Sequence, residues 1–251
     1  MSSKTVWMVS GNKGGVGKSI FCLALASALE MRGEAFAVFD GDGRTGDVYG
    51  VFRRKCPARL GDFRALRPES HLCNLDLEYE NQLQQLLAGS PHLIVNTPDG
   101  ADMVLKKWFD VTLSHTEAGN INFRFIYMMS DRPDGLEMLP QLVDSFQFLY
   151  PVRNLHFGQP KIFNAFNQGY MDGFKVVLDL PPLRGEEVRM LFDLRAYPAE
   201  ALTLKQTGGK GPYAIDTLSR SRLFRWQCDV NEMVEGMVDN MDMPNLDFSK
   251  W

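Results

Sequence analysis

The chain has 251 residues, of which 45% are hydrophobic and 23% charged, and its formal net charge is −4. The composition is ordinary for a globular protein, and no global basic field draws the chain to nucleic acid or anionic lipid. The four cysteines are scattered without a C-x-x-C pair or metal-ligand spacing. They exclude a small disulfide scaffold and indicate a reducing compartment.

The first residues run directly into a short apolar segment and then into glycines, which is not the pattern of a signal peptide. No apolar run approaches the roughly 18 residues that span a bilayer. We therefore expect a soluble, cytoplasmic protein with no membrane partner.

Apolar runs and helical periodicity alternate along the chain to about residue 195. The pattern predicts strands at 5–10, 35–39, 92–96, 123–129, 152–157 and 174–180. It predicts helices at 18–32, 80–87, 102–109, 135–148 and 186–194. Such alternation is typical of an α/β fold, here a doubly wound, mostly parallel sheet flanked by helices.

The last fifty residues follow a different pattern. A glycine-rich loop at 206–212 precedes a predicted long helix at about 213–241, and 242–251 reads as an irregular tail. Because no linker, repeat or low-complexity tract interrupts the chain, we predict one domain over 1–251, with its C-terminal helix and tail at about 213–251.

A glycine-rich loop separates the first predicted strand from the first predicted helix. Its glycines let backbone N–H groups converge on phosphate oxygens beside the positive end of the helix dipole. Lys18 offers a cation for the β- and γ-phosphates, and Ser19 offers a hydroxyl to Mg²⁺. The strict pattern has glycine where this chain has Asn12, yet strand, loop and helix all stand where the motif needs them.

The sequence KGGVGKS, with its additional Lys13, resembles the deviant Walker A motif of the ParA/MinD family of P-loop ATPases. The resemblance implies that Lys13 reaches the ATP phosphates of the partner subunit in a nucleotide-sandwich homodimer. A cation there also helps to neutralise a transferring phosphoryl group. The implied nucleotide-binding residues of the loop are Asn12, Lys13, Gly14, Gly15, Val16, Gly17, Lys18, Ser19 and Ile20.

The second predicted strand is closed by Asp40-Gly41-Asp42, where the family has Asp-x-Asp. The resemblance assigns Asp42 to the attacking water and Asp40 to the neighbourhood of Mg²⁺. Carboxylates at the end of a strand beside a phosphate loop are well placed for both roles. A turn built from Asp and Gly is the alternative interpretation.

The segment 92–100 resembles the Walker B strand of the family, but Asn96 stands at the aspartate position. An amide can accept a hydrogen bond from a Mg²⁺-bound water without bringing charge, and Asp99 lies three residues further on. Ile20 and the Gly43-Arg44 pair are further departures from the family pattern. These departures leave the fold prediction intact and predict slow hydrolysis.

The resemblance places the adenine base near Asn154 and Pro181, although Asn154 equally suits a turn. Residues 154–163 and the altered Walker B strand also resemble ParA-like proteins of plasmid stability and conjugative transfer.

The sequence contains two basic clusters, and the first has two interpretations. The first cluster comprises Arg44, Arg53, Arg54, Lys55, Arg59, Arg64 and Arg67. It either contacts DNA phosphates or an acidic partner, or forms a loop that pairs with acidic segments of the chain such as 76–80. We favour the pairing with acidic segments. The second lies in the last predicted helix and leaves a weak DNA interpretation; it comprises Arg220, Arg222 and Arg225. The acidic, non-amphipathic end does not resemble the membrane-binding branch.

The catalytic candidates are thus Lys13, Lys18 and Asp42, and the metal candidates are Ser19, Asp40 and Asn96. With ATP and Mg²⁺ they predict a switch ATPase that dimerises on ATP, works with an adaptor or stimulating protein, and positions or segregates DNA or a protein machine. One alternative is a nucleotide-binding scaffold with little hydrolysis. Another is a metabolic P-loop enzyme; its iron–sulfur reductase form would need cluster cysteines, and Cys56 and Cys73 are not so placed.

Overall fold

The computed structural model describes most of the chain, namely residues 4–11, 13–66, 74–112, 121–146, 148–203 and 216–238. Arg67, Cys73 and the predicted tail at 242–251 lie outside these ranges.

Within them, seven strands form one sheet in the order β3-β2-β4-β1-β5-β6-β7, and every neighbouring pair is parallel. The strands are β1 Lys4–Ser10, β2 Phe36–Asp40, β3 Ala58–Leu60, β4 His92–Asn96, β5 Ile121–Met129, β6 Leu149–Asn154 and β7 Leu178–Leu180. This architecture confirms the predicted doubly wound parallel sheet.

Helices cover both faces of the sheet. They are α1 Lys18–Met31, α2 Asp47–Phe52, α3 Asn74–Gly89, α4 Asp102–Thr112, α5 Leu139–Val143, α6 Asn164–Gly169, α7 Gly185–Leu194, α8 Pro198–Thr203 and α9 Thr217–Val238. The long C-terminal helix is therefore confirmed as α9, which packs on α1, α8 and β7. Among the described residues, no helix has the length and apolarity needed to cross a bilayer.

Two hydrophobic cores sandwich the sheet. Along β1, Trp7 and Val9 enter one core, whereas Val6 and Met8 enter the other, as the period-2 alternation of a strand dictates. The first core also takes the buried faces of α1, α2, α7, α8 and α9, and the second takes those of α3, α4, α5 and α6. Burial on both faces explains why β1, β2 and β4 read as continuous apolar runs.

Several element predictions were incomplete. The short elements α2, β3, α6 and α8 were not predicted; in β3 Arg59 and Leu60 are exposed, so no apolar run marks the strand. The predicted helix 135–148 is instead a 3-10 turn, Pro133–Leu136, followed by α5, because a proline lies in the first turn of each piece. Strand β6 begins before the predicted 152, since Pro151 inside it obscured the pattern. In the predicted strand 174–180, Leu178–Leu180 forms strand β7, and Phe174 forms an isolated bridge.

The chain order places the carboxyl ends of β1 and β4 at a topological switch point. The connection after β1 runs through α1 on one face, whereas that after β4 runs through α4 on the other face. Diverging loops leave a crevice at the carboxyl edge of the sheet, where α/β proteins bind their ligands. The glycine-rich loop lies at this crevice.

Candidate functional site

The glycine-rich loop connects β1 directly to α1 at the carboxyl edge of the sheet. Gly17, with φ of 99°, precedes the helix, and a Cβ there would lie 2.5 Å from Nδ2 of Asn154. Glycine is therefore required both for backbone conformation and for space. The amide of Phe21 donates to the carbonyl of Gly17 at 2.9 Å, which starts the helix at Lys18. The first backbone amides of α1 are thus available to an anion in the loop.

The other loop positions divide into anchored and open ones. Val16 is buried, and its carbonyl accepts a hydrogen bond from Nδ2 of Asn154 at 2.8 Å. Gly14 and Gly15 are exposed, and Ser19 is partly exposed in the first turn of α1. Asn12 lies outside the described residues. The loop therefore has a fixed base and an open rim.

The side chain of Lys18 turns inward over the loop. Its Nζ donates to the carbonyl oxygens of Lys13 at 3.0 Å and Gly11 at 3.3 Å, and the residue is 9% exposed. Burial lowers the pKa of Lys18, against the opposing field of Asp102 and Asp99. The hydrogen bonds described for the ammonium go to neutral carbonyl oxygens, so a phosphate in the loop would give it a stronger, charge-assisted partner.

Asp40 and Asn96 are register partners at the ends of the neighbouring strands β2 and β4. Nδ2 of Asn96 donates to Oδ1 of Asp40 at 2.9 Å, and both residues are buried. The other oxygen of Asp40 accepts from the amide of Tyr49 at 2.9 Å, and Oδ1 also lies 3.2 Å from the amide of Asp42. Oδ1 of Asn96 lies 3.9 Å from Sγ of the buried Cys22. We call Asp40, Asn96 and Cys22 the buried strand-end cluster.

Within this cluster, burial raises the pKa of Asp40, although its hydrogen bonds oppose the shift. Burial also raises the pKa of Cys22 well above its usual value. The departure from the family pattern at Asn96 therefore has a local meaning. An amide donates to Asp40 where a second carboxylate would repel it.

The metal candidates suit a Mg²⁺ ion that binds together with the nucleotide phosphates better than an ion bound by protein side chains alone. Among the described residues, no group of three His, Cys, Asp or Glu side chains could hold a metal ion. Both oxygens of Asp40 already accept hydrogen bonds, so Asp40 suits a water on the metal, whereas Ser19 offers its hydroxyl directly. Mg²⁺ keeps several waters in phosphate sites, which suits this sparse donor set.

Asp42 lies at the rim of the loop in an ion-pair bridge. Arg64 Nη1 lies 2.8 Å from Oδ1 of Asp42, and Arg64 Nη2 lies 2.5 Å from Oδ1 of Asp99. Burial acts to raise the pKa of Asp99, but the hydrogen bond and the charge of Arg64 outweigh burial and lower this pKa. Although burial acts the other way, the two carboxylates raise the pKa of Arg64. We call Asp42, Arg64 and Asp99 the rim bridge.

The side chain of Lys13 has a different partner from that of Lys18, although both residues belong to one loop. Its Nζ forms an ion pair with Oδ2 of Asp134 at 3.0 Å, and the two side chains are 43% and 48% exposed. Asp134 belongs to the 3-10 turn Pro133–Leu136 after β5. An exposed ion pair of this kind contributes little stability, so Lys13 can exchange its partner at low cost.

A buried polar network supports the loop from below, and Asp102 at the start of α4 is its charged member. Ser10 donates to Oδ1 of Asp102, and Oγ1 of Thr97 lies 3.1 Å from Oγ of Ser10. Burial raises the pKa of Asp102, although Ser10 and Lys18 oppose this. Sequence reasoning missed this residue, since an aspartate in the first turn of a helix is common in any fold.

A cavity of about 210 Å³ opens beside the loop toward β6 and β7. The predicted residues Ile20, Asn154 and Pro181 all line it, and Ile20 supplies apolar surface there in place of the hydroxyl that is common in the family. The amide of Asn154 is already engaged, because its Nδ2 donates to Val16 and its Oδ1 accepts from the amide of His156 at 3.0 Å. The side chain of Asn154 therefore links the end of strand β6 to the glycine-rich loop. Other lining residues were not predicted, among them His156, Leu183 and Val188.

Three members of the two basic clusters form ion pairs among the described residues. Lys55 forms an ion pair with Glu200, Arg64 belongs to the rim bridge, and Arg222 Nη2 lies 2.5 Å from Oε1 of Glu187. The predicted pairing of the first cluster with acidic groups thus applies to Lys55 and Arg64. Their partners differ from the predicted segment 76–80.

The chain is similar in sequence to one known protein and in fold to several solved structures. Protein MobD of Acidithiobacillus ferrooxidans is 22% identical over 242 residues, which cover 94% of this chain and 99% of that protein. A putative plasmid partition protein from Borrelia burgdorferi B31 bound to AMPPNP superposes with a TM-score of 0.56 and 12% identity, over 94% of this chain and 99% of that one.

A nucleotide-binding protein from Archaeoglobus fulgidus in complex with ADP gives a TM-score of 0.52 at 14% identity, over 76% of this chain and 86% of that one. At these identities the two structures establish a shared fold. The family profile described as the CobQ/CobB/MinD/ParA nucleotide binding domain matches residues 7–147, more than half of the chain. With its glycine-rich loop, inward Lys18 and parallel sheet, the chain belongs to the CobQ/CobB/MinD/ParA family of nucleotide-binding domains, which confirms the resemblance read from the sequence.

Proposed function

We propose that this protein is an ATP-dependent dimerising switch, a slow ATPase that positions or segregates a cargo of DNA or a protein machine. The observation that carries the proposal is that two lysines of one loop differ in partner and exposure. The buried Lys18 donates to carbonyls of its own loop, whereas the side chain of Lys13 is 43% exposed and pairs with Asp134. One cation serves the nucleotide of its own subunit, and the other is accessible to a second subunit.

ATP binding rests on the loop, on Lys18 and on Ser19. The loop and helix amides donate hydrogen bonds to phosphate oxygens, and Lys18 exchanges the carbonyls of Lys13 and Gly11 for the β- and γ-phosphates. When bound, Mg²⁺ supplies charge neutralisation between the phosphates. Ser19 would hold the ion directly, and Asp40 and Asn96 would hold its waters. The adenine base occupies the cavity lined by Ile20 and Pro181.

Hydrolysis depends on the positioning of water by Asp42, which stands at the loop rim on the segment that follows β2. Two features favour a slow rate. Asn96 brings no charge to the metal waters, and the carboxylate of Asp40 is shared among three hydrogen-bond donors. Slow turnover suits a timed switch whose release is stimulated by an adaptor protein.

Dimerisation depends on Lys13. In the single chain it pairs with the exposed Asp134, and in the ATP dimer it leaves that partner for the phosphates of the second subunit. The Borrelia protein with this fold, described as a putative plasmid partition protein, supports a DNA cargo. We further propose nonspecific DNA as a direct partner and the cytoplasm as the location.

The test combines ATPase activity with molecular mass in solution. We expect a monomer without nucleotide, a dimer with ATP and Mg²⁺, and slow hydrolysis that DNA or a partner protein accelerates. The Lys13→Ala variant should still bind ATP but stay monomeric, and Asp42→Ala should dimerise and fail to release. ATP binding and dimerisation without turnover would instead support a nucleotide-binding scaffold. If Lys13→Ala still dimerises with ATP, or no nucleotide binds the native chain, the proposal is wrong.

A further inference from the structure

Arg64 has a rigid attachment beside the phosphate loop. The amide of Phe63 donates to the carbonyl of Gly41 at 3.0 Å, and the fully buried Phe63 ring stacks on Phe39 with ring centroids 5.1 Å apart. Oδ1 of Asp62 caps the 3-10 turn Phe63–Ala65 by accepting from the amide of Arg64 at 3.0 Å. The backbone of Arg64 is therefore fixed to the segment that carries Asp40 and Asp42.

The guanidinium of Arg64 spans the two loops that flank the phosphate site. One arm reaches Asp42 after β2 at 2.8 Å, and the other reaches Asp99 after β4 at 2.5 Å. Asp99 lies against the phosphate loop, since its Oδ2 is 3.7 Å from the place a Cβ on Gly14 would take. The bridge therefore crosses the rim at which the end of a bound polyphosphate would lie.

The two carboxylates of the bridge are not equivalent. The side chain of Asp42 is 17% exposed, and that of Asp99 is 52% exposed. Asp99 can therefore turn into water at low cost, whereas Asp42 is mostly buried and also accepts a hydrogen bond from Thr45. A phosphate that enters the rim repels Asp99 and offers Arg64 a planar, bidentate match for the vacated arm of its fork.

We propose that Arg64 exchanges Asp99 for the γ-phosphate of ATP while it keeps Asp42, so that one guanidinium ties the water-positioning carboxylate to the phosphate that is attacked. In this role Arg64 senses the γ-phosphate within its own subunit, and Asp99 is the competitor that holds it in the nucleotide-free chain. The inference rests on the proposed function, because it takes ATP as the ligand of this site.

The test compares the affinities for ADP and AMPPNP, each with Mg²⁺, by calorimetry on the full chain. In Arg64→Ala the Kd for AMPPNP should rise about 10- to 100-fold, since a charge-assisted contact is lost. The Kd for ADP should stay within about twofold of the native value, because ADP lacks the phosphate that Arg64 reaches. Arg64→Lys keeps the charge without the fork and should fall between. Repeating the series in Lys13→Ala removes any contribution from dimerisation.

A double-mutant cycle tests the competition directly. Asp99→Asn should tighten AMPPNP about threefold and leave ADP unchanged, and this gain should vanish in the Arg64→Ala background. Arg59→Ala is the matched control, because Arg59 is an exposed arginine five residues earlier that touches neither carboxylate in the described contacts. It should change neither affinity.

The outcomes separate the two proposals. If Arg64→Ala weakens ADP and AMPPNP equally, or if the Asp99→Asn gain persists without Arg64, then Arg64 is a structural brace and the inference is wrong while ATP binding stands. If the native chain binds neither nucleotide, the proposed function itself is wrong. Circular dichroism melting of Arg64→Ala and Arg64→Lys identifies a folding defect. If Arg64→Ala fails to fold, the ADP affinity of Arg64→Lys decides: a native ADP affinity beside a weakened AMPPNP affinity indicates a γ-phosphate contact, and equal weakening indicates a structural brace.

Discussion

Two aspartates that stand two residues apart have opposite surroundings. Asp40 belongs to the buried strand-end cluster, is 0% exposed and accepts hydrogen bonds from neutral donors alone among its described contacts. Asp42 belongs to the rim bridge, where Arg64 forms ion pairs with both Asp42 and Asp99. The turn at Gly41 carries the chain from the first environment to the second, and a Cβ there would lie 2.3 Å from the Phe63 ring.

The difference teaches how each carboxylate can be used. In the buried cluster a charge is held by fixed dipoles, which suits a constant role near a metal water. At the rim the charges are paired with one another and partly exposed, so their partners can be exchanged when phosphate arrives. The buried cluster is a support, and the rim bridge is the part that responds to nucleotide.

The largest effect is expected at the cation that acts on both regions. The field of Lys18 reaches Asp42 and Asp99 at the rim and Cys22 in the buried cluster. Lys18→Ala should raise the Kd for ATP by about 1000-fold, because a desolvated cation–phosphate contact is lost. Fluorescence titration with a labelled ATP measures this. Lys161→Ala, at an exposed lysine, is the control, and a loss below tenfold in Lys18→Ala would contradict the assignment.

The stability of the two aspartate variants should differ most clearly. Asp40→Ala leaves buried donors of Asn96 and Tyr49 unsatisfied, so the free energy of unfolding should fall by about 3 kcal/mol. Asp42→Ala removes a partly exposed ion pair and should cost below about 1 kcal/mol. Urea unfolding of the nucleotide-free chain gives both values. Equal losses would show that the two environments do not differ in the way the contacts indicate.

Asn96→Asp should make the buried cluster depend strongly on pH. It places a second carboxylate against Asp40 in place of a donor at 2.9 Å, so the free energy of unfolding at pH 7 should fall by about 1–3 kcal/mol. Burial already raises the pKa of Asp40, and the added charge raises it further. A carboxyl with a raised folded pKa stabilises below its unfolded pKa, and that stability is lost as pH rises through the folded pKa.

The deficit of Asn96→Asp should therefore shrink as pH falls from 7 toward 5, as urea unfolding at the two pH values would show. Asn164→Asp, at an exposed asparagine that begins α6, is the control and should show no such trend. A deficit that does not change with pH would mean that the variant repacks instead of binding a proton.

The smallest effect is expected at the exposed pair of Lys13. Asp134→Asn removes the intramolecular partner of Lys13 and should strengthen ATP-dependent dimerisation about threefold, the scale of a surface ion pair. Sedimentation equilibrium with AMPPNP measures the dimer constant. Asp131→Asn, at an exposed neighbour in the same loop, should leave it unchanged. A weaker dimer in Asp134→Asn would show that this carboxylate supports the partner contact.

The central half of the fold followed from local patterns. Strands β1, β2 and β4 could be predicted because burial on both faces makes each a continuous apolar run. Helix α1 could be predicted from the glycine-rich loop before it and from the helical spacing of its apolar residues. Two strands nearer the sides of the sheet did not follow from local patterns, because the edge strand β3 has three residues and β6, the neighbour of the other edge strand, contains Pro151. Short or interrupted elements are stabilised by their neighbours, and their own sequences carry little signal.

The candidate site divides in the same way. The loop, Lys18 and the Asp40-Gly41-Asp42 segment lie within one contiguous stretch of chain, so motif spacing could identify them. Asp102 and Asp134 could not be identified, since their partners Ser10 and Lys13 are 92 and 121 residues away. Arg64 was assigned to a basic run, and its two carboxylates show instead that it belongs to the rim.

The sequence by itself determined that a phosphate loop follows a buried strand, because glycine, lysine and apolar spacing act over a few residues. Only the tertiary structure decided that Asp40 meets an amide at Asn96 and that Asp42 meets Arg64. Those contacts depend on the register of β2 against β4 and on the packing of Phe63 under Gly41. Register and side-chain direction are set by the whole sheet, and no short segment encodes them.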